Sequence, residues 1–252
     1  MTETLLSLPA HDGKTIYGVL RRPAHAPCRK VALHFHGLTG NKDGYLEILS
    51  GNVAALRGYD HFRMGFYDRA PNARRLDGVT LADHVRDFRA VINYFAPLYD
   101  AIYVSAHSFA GLVALIDGMK GVKAASLWDP ATDVTHFWKT TKSLAPASGG
   151  KKYRLDYGRV FILSAPFIDE IARYPDAACM ELAKKVAPPT QVIVPEKSIF
   201  AASPHADPAR YAALLPGNIP LKTIPGADHI FSGEGAADAL LNACYDMFDA
   251  HG

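Results

Sequence analysis

The sequence predicts an α/β fold with a mainly parallel sheet covered by helices on both faces. Short β-branched and aromatic runs alternate with longer stretches of helical spacing, the pattern left by strand–helix–strand crossovers. The length, 252 residues, suits a single large domain of this class. Apolar residues make up 49% and charged residues 21%, enough for a sizeable core and unlike a disordered chain. No repeats or low-complexity tracts interrupt the pattern.

Thr15–Arg22 alternates like a half-exposed strand after the turn His11-Asp12-Gly13-Lys14. Val31–Phe35 is the next strand, feeding a glycine-containing loop. Leu46–Arg57 has helical spacing and stops at Gly58. Tyr59–Phe66 reads as a strand. Thr80–Phe95 is an amphipathic helix with Leu81, Val85, Phe88 and Ile92 on one face. Ala101–Ser105 is a strand, Phe109–Met119 the helix behind it, and Val122–Trp128 another strand. Thr190–Val194 and Leu221–Ile224 complete the strands, and Ala236–Ala250 is a terminal helix.

One region breaks the alternation. Residues 131–189 lie between two predicted strands and are far too long for an ordinary crossover. The segment holds Phe137, Trp138, Tyr153, Tyr157, Phe161, Phe167 and Ile168, interrupted by Pro146-Ala147-Ser148-Gly149-Gly150. Such aromatic content favours a lid that offers apolar surface to a substrate. The competing reading is a surface excursion with its own small core.

Composition excludes several functions. A formal charge of +2 is too small to imply a nucleic-acid partner. No apolar run approaches the ~20 residues that cross a bilayer, and nothing near Met1 reads as a secretory signal, so no membrane partner is expected. Cys28, Cys179 and Cys244 are scattered without C-x-x-C spacing, which suits reduced thiols and a cytoplasmic location.

Ile102-Tyr103-Val104-Ser105-Ala106-His107-Ser108-Phe109-Ala110-Gly111 is the most informative stretch. A strand-like run reaches a serine with alanine two residues away on each side, and a helical pattern follows at once. This is a G-x-S-x-G nucleophile elbow with both glycines widened to alanine, still small enough for a tight, strained turn. Two further segments join it: His34-Phe35-His36-Gly37-Leu38-Thr39-Gly40-Asn41-Lys42 and Ile224-Pro225-Gly226-Ala227-Asp228-His229-Ile230-Phe231. The order of a glycine-rich loop, then serine, then histidine resembles the α/β-hydrolases over nearly the whole chain. The loop His36-Gly37-Leu38-Thr39-Gly40 looks most like the branch holding feruloyl and cinnamoyl esterases and serine-aminopeptidase-like lipases. That resemblance implies one α/β-hydrolase domain over 1–252, with a cap insertion at 131–189.

Ser108 is then the candidate nucleophile, and it needs an adjacent base. His229 is the candidate base, placed after the last strand as the family order implies. His107 adjoins Ser108 but points elsewhere in such a turn. His34 and His36 share a strand face, where packing or hydrogen bonding outweighs chelation, since no third ligand is evident in the sequence. The backbone amides of Leu38 and Phe109 are the candidate oxyanion donors, with Gly37 and Gly40 allowing close approach.

The acid departs from the family pattern. The resemblance places it after the penultimate strand in a segment such as G-x-x-D, where this chain has Pro195-Glu196-Lys197-Ser198. Three readings compete. The acid has moved to the end of the preceding strand, at Asp129, as in some lipases of the fold. Alternatively, a longer loop brings Glu196 or Asp207 to His229, or no acid exists and a serine or water orients the ring. Asp129 is the leading choice, with Asp133 a weaker relative of it. Against it stands the reading of Asp129-Pro130 as a turn that caps a helix. Asp228 is expected to face away from His229. Arg69, Arg74 and Arg75 read as a solvated face, or as a rim that attracts a substrate anion.

These readings point to a serine esterase acting on small-molecule acyl esters through an acyl-enzyme, with no metal or organic cofactor. An acyl thioesterase or acyltransferase is the nearest alternative. A hydrolase-like binding protein with little turnover is another, motivated by Ser198 and by the alanines around Ser108.

Overall fold

The computed structural model describes residues 1–23, 28–156, 158–200 and 207–252; Tyr157 lies outside the described residues. In chain order the first elements are β1 (Thr2–Pro9), β2 (Thr15–Arg22), β3 (Lys30–Phe35), α1 (Tyr45–Leu56), β4 (Asp60–Gly65) and α2 (Leu81–Phe95). Next come β5 (Ala101–His107), α3 (Phe109–Asp117), β6 (Ala124–Trp128) and α4 (Val134–Thr141). Three short strands, β7 (Leu144–Ala147), β8 (Lys152–Asp156) and β9 (Val160–Ser164), lead to α5 (Ala165–Ile171) and α6 (Asp176–Ala183). The chain finishes with β10 (Thr190–Lys197), α7 (Pro208–Leu214), β11 (Lys222–Asp228) and α8 (Ala236–Ala250).

Eight strands form one sheet in the order β1-β2-β4-β3-β5-β6-β10-β11. β2 pairs antiparallel with β1 and β4, and every other pairing is parallel. Successive side chains of a strand enter opposite cores. Leu127 joins the core under α2 and α3, while its neighbour Trp128 joins the core under α1 and α8. Burial on both faces explains why the central strands read as continuous apolar runs.

The predicted elements match this order, with shifts at their ends. Thr80 is the N-cap of α2 rather than its first residue, in a capping box with Asp83. Val122 precedes β6 instead of opening it. β11 runs on to Asp228 through Pro225, a proline that an edge strand tolerates because one side has no ladder to complete. β1 was not predicted from sequence: it is an edge strand whose side chains are mostly exposed, so no buried periodicity marks it.

The long segment after β6 has a three-stranded antiparallel sheet of its own, β7-β8-β9. It is tied to the start of α2, because Ser164 Oγ donates to the Val79 carbonyl and Glu170 accepts from the Ala82 amide, each at 2.8 Å. α6 then packs on α3, as a crossover helix leading into β10. Among the described residues, no helix is long and apolar enough to cross a membrane, and the three cysteines are unbonded.

Candidate active site

Because the central pairings are parallel, β5, β6 and β11 all end on the same side of the sheet, where the loops of such folds gather their polar side chains. Ser108 stands between β5 and α3 with φ 54° and ψ −118°, a backbone conformation that a non-glycine residue adopts only under constraint. Three main-chain bonds impose it. The Ser108 amide donates to the Trp128 carbonyl at 2.8 Å, and the Ser108 carbonyl accepts from Gly111 at 2.9 Å and Ala131 at 3.0 Å. The elbow is therefore bolted to the loop after β6.

Two glycines let that happen. A Cβ on Gly37 would lie 3.0 Å from Ser108 Cβ, so the loop after β3 can pass the serine only without a side chain. A Cβ on Gly111 would lie 2.6 Å from Pro130 Cβ, so α3 can approach the Asp129-Pro130 turn only through glycine.

Asp129, with φ 41°, has its own amide tied to the Ile193 carbonyl of β10 at 2.7 Å. Its carboxylate is buried and accepts from His229 Nδ1 at 2.6 Å. The opposite nitrogen, Nε2, is 3.0 Å from Ser108 Oγ. With Nδ1 protonated and held by the carboxylate, Nε2 is free to accept the serine proton. The second carboxylate oxygen accepts from Ser198 Oγ at 2.7 Å, and Ser198 Oγ in turn accepts from the Phe200 amide at 3.1 Å. The residue that stands where the resemblance expects an acid thus holds the carboxylate that the preceding strand supplies.

The other carboxylates considered are engaged elsewhere. Glu196 accepts from the Gly226 amide at 2.6 Å. Asp207 caps α7 and Asp133 caps α4. Asp228 accepts from the Ser232 amide and hydroxyl.

The neighbouring histidines have separate tasks. His107 Nε2 donates to the His229 carbonyl at 2.8 Å, bracing the main chain of that loop. Burial lowers the His107 pKa to about 3, so its ring stays neutral beside His229. His36 Nδ1 donates to the Gly37 carbonyl at 2.7 Å and Nε2 accepts from the Phe66 amide at 3.1 Å, which fixes the glycine loop. Burial depresses the His36 pKa as well, in keeping with the lone pair it offers Phe66. His34 Nδ1 contacts Ser105 Oγ at 2.9 Å.

Leu38 and Phe109 line the same cavity as Ser108, and among the described residues neither amide is in a backbone hydrogen bond. Both residues line a cavity of about 810 Å³ that opens onto Ser108 and His229. Its apolar wall is shared between the inserted segment, through Val134, Phe137, Trp138 and Phe161, and the segments around it, through Leu38, Leu46, Ile199 and Phe200. Phe167, by contrast, is fully buried against Phe109 and lies outside the lining. Arg74 corrects the reading of a solvated or anion-attracting arginine face, because it is buried and bonded to Asp87 and Asp12.

Sequence reasoning missed Ser198 as a partner of Asp129, and Gly111. A glycine inside a helical pattern, three residues past the elbow, was the available signal.

No family model matches the chain, and no curated protein matches its sequence. Solved structures do. Est1E from Butyrivibrio proteoclasticus, in its ferulic acid complex, superposes with a TM-score of 0.77 at 18% identity, covering 97% of this chain and 99% of that one. The α/β hydrolase GrgF from a Penicillium species superposes with a TM-score of 0.77 at 16% identity, covering 100% and 99%. The esterase domain of a Rhodothermus marinus protein has a TM-score of 0.73 at 18% identity, covering 96% of each chain. The chain has the α/β-hydrolase fold.

Proposed function

We propose that this protein is a serine hydrolase that cleaves carboxylic esters through an acyl-enzyme intermediate. The observation that carries the reading is the continuous chain from Ser108 Oγ to His229 at 3.0 Å and from His229 to Asp129 at 2.6 Å, on a strained serine facing a cavity. Ser108 Oγ attacks the acyl carbon while His229 Nε2 takes its proton. Asp129 keeps the imidazole in the productive tautomer and stabilises the imidazolium. The amides of Leu38 and Phe109 hold the oxyanion. His229 then gives the proton to the departing alkoxide, and the C–O ester bond breaks to leave acyl-Ser108. Water attacks this acyl group, giving one proton to His229, which returns it to Ser108 as the acid leaves. The domain is one unit over 1–252 in which the segment 131–189 acts as a cap, since six of its residues line the cavity.

The esterase domain and the ferulic acid complex among the structural neighbours support this reading. The carboxylate on His229 also removes the main motive for a turnover-deficient binding protein. The test is labelling with a fluorophosphonate probe, together with hydrolysis of p-nitrophenyl butyrate. Wild type should label and turn over, and Ser108→Ala should do neither. A wild-type chain that is folded yet unlabelled and inactive on short activated esters overturns the proposal.

A further inference from the structure

The cavity wall carries one feature that ester cleavage does not use. Arg159 lines it from the inserted segment and, among the described residues, is the single Lys or Arg in that lining. It lies two residues before Phe161, which also lines the cavity, so the alternation of β9 carried back one residue turns both side chains the same way. Among the described residues, its guanidinium has no ion pair. The nearby acid Asp156 is already committed, to Arg154 at 2.6 Å and to the Gly158 amide at 3.0 Å. Glu47, the only Asp or Glu in the lining among the described residues, is buried 3.6 Å from His34 Nε2. Burial alone would raise the Glu47 pKa, but that imidazole holds it down to about 2. An exposed arginine, without an ion pair among the described residues, thus stands on the rim of a cavity whose other walls include Val134, Phe137, Trp138, Phe161 and Phe200.

We infer that the ligand of this cavity has an apolar body ending in a carboxylate, which Arg159 binds away from the scissile bond. The inference rests on the proposed hydrolase reading and specifies its substrate class. A planar guanidinium offers paired donors to a carboxylate even at a solvent-exposed rim, while the apolar walls take up the body of the ligand. A single cation in the lining matches a single negative charge, whereas a dianionic phosphate would call for more. The apolar walls account for the body and the arginine for the terminus. Because Arg159 belongs to the inserted segment, a bound carboxylate would also fasten that segment over the serine.

The experiment compares kcat/KM for matched substrates in wild type, Arg159→Gln and Arg159→Lys. One pair sets p-nitrophenyl half-esters of C6–C9 dicarboxylic acids against p-nitrophenyl esters of monoacids of equal length. The other sets the butanoyl ester of 4-hydroxybenzoate against that of 4-hydroxybenzamide. The readout is the ratio of anionic to neutral substrate, so a general loss of activity cancels. Arg159→Gln should lower the ratio by on the order of tenfold to a hundredfold in one pair, and Arg159→Lys should keep most of it. The affected pair shows whether the carboxylate sits on the acyl or the alcohol side. A ratio within about twofold of wild type in both pairs overturns the inference. A second arm needs no turnover. Ser108→Ala protein, with and without Arg159→Gln, is titrated calorimetrically with 4-phenylbutyrate and with 4-phenylbutanamide. Preference for the carboxylate that disappears with Arg159 supports the site even if the chain hydrolyses nothing; equal affinities overturn it.

Discussion

Two Ser–His–carboxylate groupings lie a few residues apart in this fold, and only one of them meets a cavity with its serine. Ser108, His229 and Asp129 are joined at 3.0 and 2.6 Å. Ser105 and His34 meet at 2.9 Å, and Glu47 lies 3.6 Å from His34, just beyond hydrogen-bond reach. The residue types are equivalent, and the settings are not. Ser105 lies inside β5 and is register partner to His34 on one side and Ser126 on the other, so its main chain belongs to the ladder. Both Ser105 and His34 are 1% exposed. Ser108 sits one residue beyond the strand, at a strained turn with amides beside it and a cavity in front. A hydrogen-bonded serine and histidine do no chemistry on a substrate that cannot reach them. The turn and the cavity make the difference, more than the trio itself.

The sharpest way to break the comparison is to remove each hydroxyl. Ser108→Ala should reduce turnover of p-nitrophenyl butyrate by at least about four orders of magnitude. Ser105→Ala, measured in the same assay, should stay within about tenfold. Equal losses would erase the distinction between the two groupings.

The acid is the next lever. Asp129→Asn should cost on the order of 10³- to 10⁴-fold in kcat, because the imidazole loses the partner that sets its tautomer. Glu196→Gln and Asp207→Asn should each remain within about tenfold, since their carboxylates serve the Gly226 amide and the cap of α7. A reversed ranking would move the acid to the later loop.

Ser198→Ala tests the support beneath that acid. Loss of a hydrogen bond to an ionised group predicts a decrease of roughly tenfold to a hundredfold in kcat. Steady-state kinetics that leave kcat unchanged would reduce Ser198 to a bystander.

The smallest effect per group concerns the imidazoles kept neutral by burial. His36, His61, His84 and His107 all have depressed pKa values, His107 to about 3. In the unfolded chain each titrates near 6.5, so below that pH the unfolded state binds more protons than the folded one. Their contribution is complete above about pH 6.5 and is lost as pH falls toward the folded values. At pH 5 a ring held at about 3 costs about 2 kcal/mol of stability. Urea unfolding at pH 7 and pH 5 should therefore give a clearly lower free energy at pH 5, and His107→Gln should flatten the difference. Equal stability at the two pH values would mean that these rings are charged or solvated in the native state.

Much of this was legible before any coordinates. Leu81, Val85, Phe88 and Ile92 marked α2 by their spacing, and Ser108 was marked by the strand before it and the helix after it. The inserted segment was visible as a gap in the alternation, but its small sheet was not. β7 and β9 are short and partly exposed, so burial imposes no clean pattern on them. Residues 74 and 159 show the same limit from the other side. Both are arginines in loop-like sequence, yet one is buried against Asp87 and the other faces a cavity.

Local physics is what the sequence alone determined: which stretches form the central strands and their covering helices, where the tight turn carries a serine, and that the penultimate strand is followed by Ser198 instead of an acid. Those features follow from side-chain period, size and backbone preference within about ten residues. Only the tertiary structure decided which carboxylate meets His229. Asp129 and His229 are 100 residues apart, and Asp129 and Ser198 are 69 apart. They meet because β6 pairs with β10, and β10 with β11, in parallel register, which brings three distant strand ends to one edge of the sheet. No local preference encodes that distance; pairing between strands does.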